Sequence, residues 1–350
     1  MNPSELIRDP VLQLNLLIWM TREQPKEYYR VRPLFHEAGF ELRNIDTPFA
    51  LPEPVLAVAK IKEVAIRQTP SPDLLIHNQP LGKALYIEAK KSSFGADSTN
   101  ANQGRAHLLA VGPACAKSYS PITDVLLSYH LPEDECQEMQ ACLETLSREL
   151  LEAGLAPGPF AMAGFGVSDH SVTYAPDPTT AAFLSLSPER QQILSGLDSE
   201  NDAAPLLLLF VEDDHHDPEK VGFYRQAVVS QIHAALICLL KANDALSFSV
   251  TARQLVLDTT QGTVNFLPLQ KQKRMEKLVV ENIFKRIREA WKDKHPDLIR
   301  LEGRAMTINF ETDLRRDDFL DWLEDGDKTK FSDKAPPPDT PEFPGLFSES

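Results

Sequence analysis

Positive charge is what this chain most lacks: 36 Lys and Arg stand against 51 Asp and Glu, a formal net charge of −15 over 350 residues. That balance excludes a simple nucleic-acid-coating surface, because such surfaces bind through phosphate neutralisation. Cysteine is also scarce. Cys115, Cys136, Cys142 and Cys238 show no C-x-x-C pairing, so free thiols in a reducing compartment are the default. No apolar run reaches the length of a membrane span, and the strongest, residues 203–211, suits a buried strand. The N-terminus lacks a basic region followed by a signal-peptide core, since Arg8, Asp9 and Arg22 interrupt its apolar residues. Internal repeats, a Walker loop and a Ser/His/Asp nucleophile motif are missing too, and Gly164-Phe165-Gly166 has no third glycine. These absences, with a hydrophobic content of 42%, predict a folded cytoplasmic protein with no membrane partner.

What the chain does contain is concentrated between residues 72 and 90. Pro72-Asp73-Leu74-Leu75-Ile76 is an apolar run headed by an aspartate, and Tyr86-Ile87-Glu88-Ala89-Lys90 is a second run ending in Glu-x-Lys. The intervening His77-Asn78-Gln79-Pro80-Leu81-Gly82-Lys83 carries Pro and Gly turn signals, so the two runs read as an antiparallel hairpin. Side chains two apart on a strand share a face, so Glu88 and Lys90 point together and Ala89 points away. A matching register brings Asp73 alongside them. Two hard oxygen ligands suit Mg²⁺ or Mn²⁺, and a lysine beside them steers a water. The unremarkable alternative is a hairpin whose Asp caps a turn and whose Glu and Lys are solvated edge charges.

This pattern resembles the PD-(D/E)xK nuclease superfamily through Pro72, Asp73, Glu88 and Lys90. The resemblance implies a restriction-endonuclease-like α/β fold, a mixed sheet flanked by helices. It implies that Asp73, Glu88 and the carbonyl of Ala89 hold the metal and that Lys90 positions the attacking water. In the RecB-like subgroup the following helix carries a glutamine and, four residues on, a tyrosine. Here Gln103 is followed at that spacing by His107, and positions four apart share a helix face. A further acidic ligand from the first helix is common in the family, and Glu37 and Glu63 are the candidates.

Residues 26–40 have helix-like spacing broken by Pro33, with Gly39 as a stop. Residues 55–66 suit a first strand or a helix. Ser98 or Thr99 caps a helix through Gln103, and residues 122–129 form a buried strand. Residues 133–151 form an amphipathic helix, and residues 157–175 are punctuated by Gly and Pro. A strand at 204–211 leads into the acidic and histidine-rich 212–217, a loop rather than a metal site. A helix over 224–240 and a strand pair, 247–257 with 263–267, complete additional C-terminal α/β elements. The predicted division is a nuclease-like core over 1–130, an added α/β region or second lobe over 131–330, and a flexible proline-rich tail over 331–350.

Against the acidic background, residues 271–294 hold nine Lys and Arg and four acids on an amphipathic helix. Lys273, Arg274, Lys277, Lys285, Arg286 and Arg288 are the candidate nucleic-acid contacts, the alternatives being a solvated face or a dock for an acidic partner. Two function classes follow. One is a Mg²⁺- or Mn²⁺-dependent endonuclease acting on DNA, the cutting subunit of a bacterial antiviral-defence or DNA-processing complex. The other is a non-catalytic scaffold that keeps the fold. The net acidity points to DNA binding shared with a partner subunit or within a homo-oligomer.

Overall fold

An aspartate before a proline starts the first helix. The carboxylate of Asp9 accepts the Val11 N–H at 2.9 Å, and Pro10 occupies the first turn, where no N–H is needed. The helix so capped, α1 (Pro10–Met20), is apolar and almost wholly buried. The computed structural model describes residues 7–24, 31–168, 170–196, 206–211 and 218–325. The chain divides into two units, Met1–Leu207 with Asn265–Leu269, and Leu208–Val264 with Gln270–Ser350.

After Pro33 only the short α2 (Leu34–Glu37) forms, and Gly39, at φ +77°, ends it. The helix expected over 26–40 is therefore reduced to one turn in its described part, as Pro33 dictates. A strand follows at β1 (Glu41–Ile45), and residues 53–61 are helical, α3 (Glu53–Ile61), with proline in the first turn. The hairpin is β2 (Leu74–Asn78) and β3 (Lys83–Ala89), with Leu74 opposite Ile87 and Asn78 opposite Lys83. Then come α4 (Thr99–Ala110), β4 (Asp124–Pro132), α5 (Cys136–Glu152), β5 (Phe160–Ser168), β6 (Ser171–Pro176), α6 (Pro178–Leu184) and β7 (Gln191–Ser195).

All seven strands lie side by side in sequence order. β3, β4 and β5 are parallel, which requires the crossovers that α4 and α5 provide, and the outer pairs are antiparallel. The architecture is mixed α/β, a mixed sheet flanked by helices. One sheet face carries Tyr86, Leu127, Tyr129 and Leu131 against Leu143 and Leu146 of α5. On the other face His130 packs among Phe35, Phe165 and Tyr174. The division expected at residue 130 falls inside this sheet, because β4 crosses it and β5 to β7 extend the same layer.

The second unit contains α7 (Pro218–Lys241), β8 (Ser247–Thr251), α8 (Ala252–Thr259), α9 (Leu269–Val279) apart from its first residue, a π-turn (Val280–Phe284), α10 (Lys285–Trp291), β9 (Ile299–Glu302), β10 (Ala305–Asn309) and α11 (Asp313–Glu324). Its antiparallel sheet has the order β8-β10-β9. Three expectations are corrected here. Residues 206–211 are buried but form no strand. The strand pair expected from 247–257 and 263–267 does not form: Thr251 accepts the Gln254 N–H at 3.0 Å and turns the chain into α8, so β8 pairs with β10 instead. One helix, over Lys220–Lys241, is long and apolar enough to cross a membrane by length and composition, which no run was expected to be. The 212–217 cluster and the proline-rich tail lie outside the described residues.

Candidate metal centre

The site is built where β2 begins and β3 ends. With Leu74 opposite Ile87, the register sets Asp73 across from Glu88, and the Asp73 Oδ2 accepts the Ala89 N–H at 2.7 Å. Glu88 is 1% exposed. Its Oε1 receives the Lys90 ammonium at 2.6 Å and the Gln103 amide Nε2 at 2.9 Å. Lys90 also donates to Gln103 Oε1 at 3.3 Å. Gln103 thus bridges the two charged partners, with its donor end on the acid and its acceptor end on the ammonium. Asp73 and Lys90 are mostly buried, with part of each still exposed.

The remaining oxygen, Glu88 Oε2, is buried with no hydrogen-bond partner. His107 Nδ1 stands 3.8 Å from it and makes its hydrogen bond to the Tyr129 hydroxyl instead, at 3.2 Å. His107 is fully buried, with ring contacts to Tyr86 and Tyr129. Gln103 and His107 therefore share the α4 face that looks onto Glu88, while Arg105 turns to Glu149.

Burial pushes the Asp73 carboxyl well above the ordinary aspartate range, and the charge of Glu88 pushes it further, against the pull of Lys90 and the Ala89 N–H. Asp46, just past β1, adds to the repulsion. Lys90 pays desolvation, but Glu88 and Asp73 outweigh it and hold the ammonium above its ordinary value. Burial lowers His107 to about 4 despite Glu88, so its ring is neutral at pH 7.

A divalent cation fits this donor set. The charge of Glu88 raises the protonation of Asp73, and a buried oxygen of Glu88 has no donor of its own. A cation relieves both. Among the described residues no three His, Cys, Asp or Glu side chains gather into a fuller cage. Glu37 pairs with Arg32 at 3.2 Å and Glu63 is exposed after α3, so neither is brought to Glu88.

Two further residues act at the site. Gln13 of α1 donates to the Lys90 carbonyl at 3.1 Å and to the Ile7 carbonyl, fixing the end of β3. The Asp9-Pro10 start signal could have revealed that helix. Arg67 donates its N–H to the Asn102 carbonyl at 3.1 Å, next to Gln103, and its exposed charge acts on both Lys90 and His107. No sequence pattern marks it. Of the candidate nucleic-acid contacts, Lys273, Arg274, Lys277, Lys285 and Arg288 are exposed, whereas Arg286 is half-buried and its guanidinium is lowered by desolvation. In comparisons with protein-family models, curated proteins and solved structures, this chain matches none.

Proposed function

We propose that the chain is a metal-dependent nuclease of the PD-(D/E)xK type that hydrolyses phosphodiester bonds of DNA. The observation that carries this reading is the arrangement around Glu88: Asp73 across the hairpin, Lys90 and Gln103 on one oxygen, and the other oxygen buried and unpartnered. Asp73, Glu88 and the carbonyl of Ala89 would hold Mg²⁺ or Mn²⁺, which when bound supplies Lewis-acid stabilisation of charge on the phosphate. Lys90, kept protonated by its acidic neighbours, donates to the attacking water or to a phosphate oxygen and orients it. Gln103 fixes Lys90 relative to Glu88. Arg67 supplies a second, exposed cation where the substrate phosphate approaches.

The experiment is incubation of the purified chain with plasmid DNA and Mg²⁺ or Mn²⁺, with and without a chelator. Asp73→Ala, Glu88→Ala and Lys90→Ala should each abolish cleavage with the fold intact by circular dichroism. If all three cut as well as the parent, the catalytic reading is wrong. Arg67→Ala should raise the KM for DNA more than it lowers kcat, since it meets the phosphate in ground and transition state alike.

A further inference from the structure

We infer that the second unit is a duplex-DNA-reading module in which α9 and α10 form the groove-entering helix and the β9–β10 hairpin lies beside it. The inference draws on the basic helix but not on the metal site. The order of elements is its first support. α8 and α9 are successive helices joined by the nine residues 260–268, which carry Gly262 at φ +80° and a 3-10 turn; this is longer than the tight turn of a helix-turn-helix, so side-chain packing holds the two helices together. A two-residue loop with Gly303 at φ +59° joins β9 to β10, and β10 returns to pair with β8.

The second support is how α9 is held. Glu276 on its inner face is 9% exposed and pairs with Arg304 of the hairpin and with Arg253 of α8, the latter at 3.6 Å. Arg253 also donates to Gln272 at 2.8 Å. Met275, Val279, Ile283 and Ile287 bury the same side. One carboxylate thus ties the first helix, the second helix and the hairpin into a single body.

The third support is the outer face, where Lys273, Lys277, Lys285 and Arg288 are exposed. An α-helix turns ~100° per residue, so the eight steps from Lys277 to Lys285 would displace the charge by ~80°. The π-turn between them accommodates an extra residue and so takes back most of that rotation. The four cations then form one stripe ~22 Å long, at 1.5 Å per residue. The acids nearby are Glu281, paired with Lys277 at 3.8 Å, and Glu289, paired with Lys292.

A convex helix of ~10–12 Å diameter matches the ~12 Å major groove of B-DNA. The narrow major groove of A-form RNA does not admit it. The exposed positions of α9 and α10 carry no aromatic residue on which single-stranded bases could stack.

The test is fluorescence anisotropy of the full chain with a labelled 30-base-pair DNA duplex, in chelator so that cleavage plays no part, over a KCl series. Double-stranded RNA and single-stranded DNA serve as competitors. The expected result is duplex binding that weakens steeply with salt and is displaced poorly by either competitor. Lys273→Glu with Lys285→Glu should weaken it at least tenfold, Lys273→Arg with Lys285→Arg should preserve it, and Lys273→Ala with Lys285→Ala should flatten the log–log salt slope by about 2. Absence of duplex binding, preference for either competitor, or unchanged affinity in a folded Glu variant would overturn the inference.

Discussion

The two oxygens of Glu88 are treated unequally: one carries both Lys90 and Gln103, and the other is buried without a donor. Across from it, Asp73 keeps its proton to higher pH than a free aspartate, so its share of stability is present at low pH and is lost as pH rises through the raised value. Asp73→Asn removes that repulsion. It should raise the Tm of the metal-free protein in calorimetry at pH 7.5, by roughly 2–4 °C for each ~1 kcal/mol gained, while abolishing cleavage. A lowered Tm would show that Asp73 is not under strain. The buried histidines act with the opposite sign. His107 and His130 are lowered to about 4 and about 3, chiefly by burial, so the unfolded chain takes up protons that the folded chain refuses. Their stability is complete above the ordinary histidine range and is lost as pH falls from ~6.5 toward those values, at about 1.4 kcal/mol per pH unit for each. Urea midpoints measured between pH 5 and 6 should show a slope that His130→Asn reduces by about that amount.

At the scale of elements, α4 presents Gln103 and its contact with α5 sets its depth. A Cβ on Gly104 would lie 2.9 Å from Leu146 Cδ1 and 3.1 Å from the Phe94 ring. Gly104→Val should therefore lift the helix, lower stability by about 1–3 kcal/mol and cut cleavage. Gly104→Ala meets only movable side-chain ends and should cost far less; equal loss in both would place the fault elsewhere. The hairpin was legible because its two apolar runs, its turn residues and Glu-x-Lys agree with the register. The strands β5 and β6 were not. Gly164 and Gly166 read as breakers, yet they are there because Glu133 crosses them so closely that a Cβ at Gly164 would sit 2.9 Å from its Cα. The strand β1 is five residues long with a bulge between Leu42 and Asn44, too brief for a clear period. Residues 206–211 misled in the other direction, since apolarity reports burial and not strand pairing. The β8–β10 pairing spans more than fifty residues, a separation no local pattern encodes.

For the whole molecule, a net charge of −15 coexists with a local basic stripe on α9 and α10, so average charge is a poor guide to what one face binds. The same acidity bears on metal-linked stability. Mg²⁺ or Mn²⁺ bound only by the folded site should raise the Tm, with a gain of ~2.7 kcal/mol at a hundred times Kd. Glu88→Gln should remove most of that gain; a full gain in that variant would place the ion elsewhere on the acidic surface.

Asp73, Glu88, Lys90, Gln103 and His107 all fall within one short stretch of chain, a hairpin and the helix after it, whereas the sheet that buries them extends to Ser195. Contacts between near neighbours close fast, with hairpins forming in ~1–10 μs, while distant strand pairings arrive later. The carboxylates should therefore meet while still in water, and their repulsion should grow only as the later strands shut water out. Pulse-labelling hydrogen exchange during refolding should show the amides that pair β2 with β3 protected before those that pair β3 with β4, a contact between residues as far apart as Lys83 and Asp124. In that order of events, a cation available early would be captured by a half-built protein and would accompany the rest of the folding.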